Sequence, residues 1–128
     1  MDKIKTLIKL HKNNVETTIK ELNKLKGSKE LMESKLNSLK EEMRIETSKF
    51  ISTEYGFVLD KYLENSRAAQ KKLMSNINVV DQKIENLQVL LHEHFSEQKR
   101  FEIILKNREK EYQDNLSFIE NKDLAEIS

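Results

Sequence analysis

The chain has 128 residues, of which 35% are charged and 37% apolar, with two glycines and neither proline nor cysteine. Twenty-three basic residues against twenty-two acidic ones leave a net charge of +1. This excludes a disulfide scaffold and a thiolate metal site, and it lacks the basic surplus expected of a nucleic-acid binder.

The opening "MDKIKTLIKLHKNN" breaks its apolar residues with lysines, so it does not read as a secretory signal peptide. From there a heptad seam begins. Ile8, Val15, Leu22, Lys29, Leu36, Met43, Phe50 and Phe57 stand seven apart, and His11, Thr18, Leu25, Met32, Leu39 and Glu46 follow three on. Such a/d spacing predicts one stripe of a long helix packed on another helix. Leu22, Leu25, Leu36, Leu39 and Met43 are its cleanest stretch. Gly27 falls at the outward f position, where it costs stability without opening the seam.

Four of the eight aromatic residues, Phe50, Tyr55, Phe57 and Tyr62, cluster in "FISTEYGFVLDKYLENS" together with Gly56. Ser, Thr and Gly punctuate helix ends, so the chain is expected to turn here. The predicted elements are a helix over about 2–53, a turn over about 54–62 and a helix over about 63–125. The piece at 57–63 is either part of the turn or a separate turn of helix. Residues 55–63 fit neither seam.

A second seam follows. Leu73, Val80, Leu87, His94, Phe101 and Arg108 form one row, and Ile77, Ile84, Leu91, Gln98, Leu105, Tyr112 and Ile119 form the other. Its core is Ile77, Val80, Ile84, Leu87 and Leu91. Two readings fit the polar members His94, Gln98, Arg108 and Tyr112: they set the register, or they meet a partner beyond the first helix.

Two helices joined by a short connection pack antiparallel. The expected fold is therefore all-α, a single antiparallel coiled-coil hairpin over residues 1–128, each arm spanning roughly 75–80 Å. A turn near the chain midpoint makes the arms equal. It sets Ile4, Leu7 and Ile8 against Ile119, Leu124 and Ile127.

No catalytic or cofactor site is expected. Neither glycine belongs to a phosphate loop. His92 and His94 point about 200° apart on a helix and cannot share a metal, so His94 is placed on the seam and His92 on the surface. No apolar run has membrane-spanning length, so direct insertion is not expected. Leu31, Ile45, Val89 and Ile103 are apolar yet fall outside the seam, with Phe95, Ile104, Leu116 and Phe118 at its flanks. Several such residues favour a binding module.

Three segments carry a family resemblance: "KTLIKLHKNNVET", "EYGFVLDKYLENSR" and "LHEHFSEQKRFEIILKNREKEYQDNLSFIENKDLAEI". Their order resembles the flagellar export protein family FliJ, in the short form found in alphaproteobacteria. The matching residues are Lys5 and Leu10 with those between them, residues 55–67, residues 99–102, and Leu124 with Glu126. Ala125 departs from the family's usual aspartate. The resemblance implies a non-catalytic coiled-coil stalk of a type III export apparatus, cytoplasmic and peripheral to the inner membrane. It implies three partners: the hexameric export ATPase, the export gate membrane protein of the FlhA type, and export chaperones. The ATPase end would carry Leu7, Ile8, Lys99, Arg100, Glu102 and Leu116.

Tyr55, Phe57, Tyr62 and Arg67 would form the tip presented to the gate. Within it Phe50 and Phe57, which keep the first seam's spacing, are assigned to plugging the seam end, and Tyr55 and Tyr62 to facing the partner. A small helical export chaperone and a generic structural coiled coil are the rival readings.

Overall fold

The computed structural model describes residues 2–50 and 56–127, the side chains of Asp2 and Ile127 excepted. It contains two α-helices, α1 (Asp2–Phe50) and α2 (Gly56–Ile127), packed on each other as an all-α hairpin. The second helix begins earlier than the sequence suggests. Residues 56–62, expected to lie in the turn, form the first turns of α2. Tyr55 lies outside the described residues.

The earlier start explains a register that sequence reasoning missed. Leu59 and Leu63 are half-buried, and with Ser66 and Gln70 they carry the second seam's alternation of threes and fours back from Leu73. Ser66 and Gln70 are buried, which disguises the seam as a polar stretch. Gln70 Nε2 donates to Ser66 Oγ at 3.2 Å and to Met43 Sδ at 3.6 Å. A polar layer satisfied in this way avoids the cost of burying an unpaired amide.

Contacts gather the chain into two compact units: Met1–Ile19 with Val89–Ser128, and Lys20–Gln88. In the second unit the core is a thin line of Leu22, Leu36, Val80 and Ile84. Lys29 Nζ meets Asp81 Oδ1 at 2.6 Å. Going from that pair to Met43 and Gln70 advances along α1 and retreats along α2, so the helices are antiparallel. Lys29 occupies a seam position, and its hydrogen bond to Asp81 holds its ammonium above the ordinary lysine range. A charged residue at such a position fixes register, because a slipped pairing strands the charge. Gly27 lies within α1, and a Cβ added there meets nothing within 4 Å, as an outward position requires.

In the other unit His11 faces His94, with Nδ1 atoms 3.2 Å apart, and stacks on Phe101 at a centroid distance of 5.9 Å. His94 therefore lies on the seam and His92 is exposed, as expected. Ile4 is buried. One heptad before His11, it falls level with residues 101–108, and the covered positions of α2 end at Leu105.

Beyond that point the equal-arm expectation gives way. The 72 residues of α2 exceed the 49 of α1, and every described side chain from 107 to 126 is exposed. Ile119 and Leu124 are not packed on Ile4, Leu7 and Ile8, being 53% and 65% exposed. The physical reason is where the helices end and begin: α1 stops at Phe50 and α2 starts at Gly56, ahead of the chain's middle, so the surplus length belongs to α2.

Candidate interaction surfaces

Two stretches of surface hold the residues singled out from the sequence. The first lies where α1 ends and α2 begins. Phe50, Val58, Leu59, Tyr62 and Glu46 line an apolar groove of about 310 Å³. Tyr62 is half-buried in it, and desolvation, reinforced by the carboxylates of Glu42 and Glu46, raises its phenol above the ordinary range.

For Phe57 and Tyr62 the exposure is the reverse of expectation, whereas Phe50 lines the groove at the seam end as assigned. Phe57, assigned to plugging the seam, is 85% exposed, whereas Tyr62 contributes to the groove wall. The reversal has a local cause: the seven-residue spacing from Phe50 to Phe57 crosses the end of α1, and a heptad count has no meaning across a chain reversal. On α2 the seam passes through Leu59 and Leu63 instead, which turns Phe57 outward. Arg67 is exposed one residue beyond the buried Ser66.

The second stretch belongs to α2 and the first turns of α1. Leu7 and Ile8 are half-buried on α1, while Lys99 and Arg100 are exposed and Glu102 is half-buried on α2. Glu102 accepts from Gln98 Nε2 at 2.9 Å and from Lys99 Nζ at 3.2 Å. These bonds, the Gln98 one first, hold its carboxyl below the ordinary glutamate range. Lys99 also sits over the Phe95 ring and Arg100 over the Phe101 ring, at 5.3 and 5.1 Å. The cations are thus held against the helix by ring faces and adjacent carboxylates. Arg100 pairs with Glu97 at 3.2 Å.

Leu116 stands apart from this group. It lies eleven residues past Leu105, roughly 16 Å further along the helix axis, and is 37% exposed. The polar members of the second seam divide between the two readings open to them. His94 and Gln98 lie within the covered part and make side-chain hydrogen bonds, whereas Arg108 and Tyr112 lie beyond it and are exposed.

Apolar residues away from the seam are exposed as their positions predict: Leu31, Ile45, Val89 and Ile103 on the helix backs, and Phe95 and Phe118 beside the seam. Ile104 is half-buried. Among the described residues no cluster of three or more His, Asp or Glu side chains is placed to hold a metal ion. No described helix is long and apolar enough to cross a membrane. Comparison with family models, curated proteins and solved structures finds no match for this chain.

Proposed function

We propose that this chain is a non-catalytic coiled-coil stalk or adaptor of a flagellar-type protein export apparatus, linking a hexameric export ATPase to the export gate. The observation that carries an adaptor role is the placement of apolar surface. A thin seam consumes Leu22, Leu36, Val80 and Ile84, while Phe57, Val58, Tyr112 and Phe118 remain exposed at separate places on the chain. Exposed apolar groups in groups rather than singly are typical of surfaces that meet other proteins. The resemblance in residues 5–10, 55–67 and 99–102, with Leu124 and Glu126, supplies the identity of the partners.

In this reading the exposed turns of α2, with Leu7, Ile8, Lys99, Arg100, Glu102 and Leu116, engage the ATPase. Phe57, Val58 and Arg67 engage the gate, with Tyr62 shaping the groove that Val58 also lines. Emptied export chaperones are a third partner, carried by the exposed apolar backs of the helices. A second reading, a small export chaperone, draws on the groove at Phe50, Val58 and Tyr62, whose volume accommodates an apolar side chain of an export substrate.

The test uses the purified export ATPase and the soluble domain of the gate protein. The stalk reading expects the chain to raise ATP hydrolysis, and deletion of residues 119–128 to reduce that stimulation while gate binding persists. Phe57→Ala with Val58→Ala is expected to weaken gate binding at least about tenfold, equivalent to about 1.4 kcal/mol. Failure to bind either partner contradicts the stalk reading, and capture of an export substrate in their place favours the chaperone.

A further inference from the structure

The chain has three histidines, and the structure treats them differently. His92 is exposed, whereas His11 on α1 and His94 on α2 are half-buried and meet across the seam. Their Nδ1 atoms stand 3.2 Å apart, although 83 positions separate them in the sequence. The ring centroids are 5.5 Å apart and the ring planes are inclined by 43°. Phe101 lies against His11 with its plane within 17° of the imidazole, so His11 is steadied by an aromatic face. The cations nearby are each answered by a carboxylate. Arg100, over the Phe101 ring, pairs with Glu97, and Lys99 pairs with Glu102, which also feels Lys12.

Two imidazole nitrogens turned toward each other have room for one proton or one metal ion between them. With a proton, one ring donates Nδ1–H and the other accepts. For a metal, both rings must offer the Nδ1 lone pair, so the donor ring moves its proton to Nε2, with no net release. The separation already suits the second state. Nitrogens bound at about 2.0–2.1 Å to a tetrahedral zinc stand roughly 3.3–3.4 Å apart, close to the 3.2 Å found here. Half-burial leaves water free to fill the remaining coordination positions.

We propose that His11 and His94 form an interhelical site for a divalent cation of the zinc, nickel and copper class, each residue binding through Nδ1. Imidazole donors suit these metals, whereas magnesium and calcium require oxygen ligands. With two protein ligands the site is exchangeable rather than a closed structural centre. Its effect is to clip α1 onto α2 within the unit formed by residues 1–19 and 89–128. A clip between positions so distant in sequence restricts the unfolded chain strongly, and binding to the folded state alone adds to stability as metal is added. The site lies in the covered part of the seam and does not rest on the export reading.

The test titrates the purified chain with zinc chloride at neutral pH, reading bound metal by equilibrium dialysis and stability by urea unfolding. About one zinc per chain is expected to bind, and the unfolding midpoint should rise with zinc and return on addition of EDTA. Magnesium chloride should leave the midpoint unchanged. His11→Ala and His94→Ala should each weaken zinc binding at least about tenfold and remove the zinc-induced rise, measured against the same variant without metal. His92→Ala should keep both. Because the first two variants also lose the bond between the rings, the parent chain supplies a second reading. In its nitrogen NMR spectrum zinc should shift Nδ1 of His11 and of His94 and leave His92 in place. Zinc bound undiminished by His11→Ala or His94→Ala would be an adventitious ion on surface carboxylates and would overturn the proposal. So would the absence of binding at millimolar zinc, loss of binding in His92→Ala, or NMR shifts confined to His92.

Discussion

Residues 91–105 and residues 107–126 belong to one uninterrupted helix, carry one apolar row and differ in what lies opposite them. In the first stretch Leu91, His94, Gln98, Phe101 and Leu105 are half-buried; in the second every described side chain is exposed. Periodicity therefore specifies a face, and the length of the facing helix decides how much of it is covered. The same amphipathic pattern is core in one stretch and surface in the other. Stability should follow the covering, not the pattern.

The largest expected effect tests that directly. Leu22 is only 4% exposed. Leu22→Ala should cost about 2–3 kcal/mol in urea unfolding, the lower part of the range for truncating a core leucine, because a thin seam lets water reach the gap. Ile119→Ala in dilute protein should change stability by less than about 0.5 kcal/mol. Equal costs at the two sites would erase the distinction between covered and uncovered rows.

Next comes Gly27→Ala, expected to stabilise the protein by about 1 kcal/mol. A new methyl meets no neighbour there, and alanine gives up less backbone freedom than glycine on entering a helix. A loss of stability would place Gly27 against another part of the chain. At a similar size, His94→Ala should cost about 1 kcal/mol by removing the bond to His11. His92→Ala, one turn-face away and exposed, should stay within about 0.5 kcal/mol of the parent.

The smallest effect concerns Lys29 and Asp81. Because Lys29 titrates above its ordinary range in the folded chain, the bridge contributes fully at pH values below the unfolded lysine's titration. That contribution fades as pH rises through the higher folded value. Lys29→Met should flatten this alkaline loss while leaving the neutral-pH melting temperature nearly unchanged, since an apolar side chain suits a seam position. An alkaline profile identical to the parent's would assign the loss to other groups.

Much of the fold was legible in the residues. Every seam position from Ile8 to Glu46, and from Leu73 to Leu105, is buried or half-buried as the heptads require. Two features were not legible, for different reasons. Ser66 and Gln70 satisfy each other in the seam, so a search for apolar residues stops short of Leu63 and Leu59 and starts α2 too late. The arms were expected to be equal because nothing in a heptad states where its partner ends.

Of the interaction residues, Phe57 and Arg67 are exposed and Tyr62 is half-buried; Tyr55 lies outside the described residues. The inward turn of Tyr62 depends on a register visible only once α2 is known to begin at Gly56. Lys99, Arg100 and Glu102 are brought level with the first turns of α1, whereas Leu116 is not. Their resting ion pairs, at the i and i+3 spacing, were available from the sequence alone.

Amide hydrogen exchange, read residue by residue in dilute protein, separates the two stretches of α2 most directly. Covered helix opens only with the hairpin, while uncovered helix frays on its own. Amides of residues 91–105 should exchange at the slow rate of Leu22 and Ile84, and those of residues 107–126 faster by orders of magnitude. Uniform protection along α2 in monomeric protein would contradict the assignment of coverage, and with it the view that the facing helix, rather than the pattern, determines what is core.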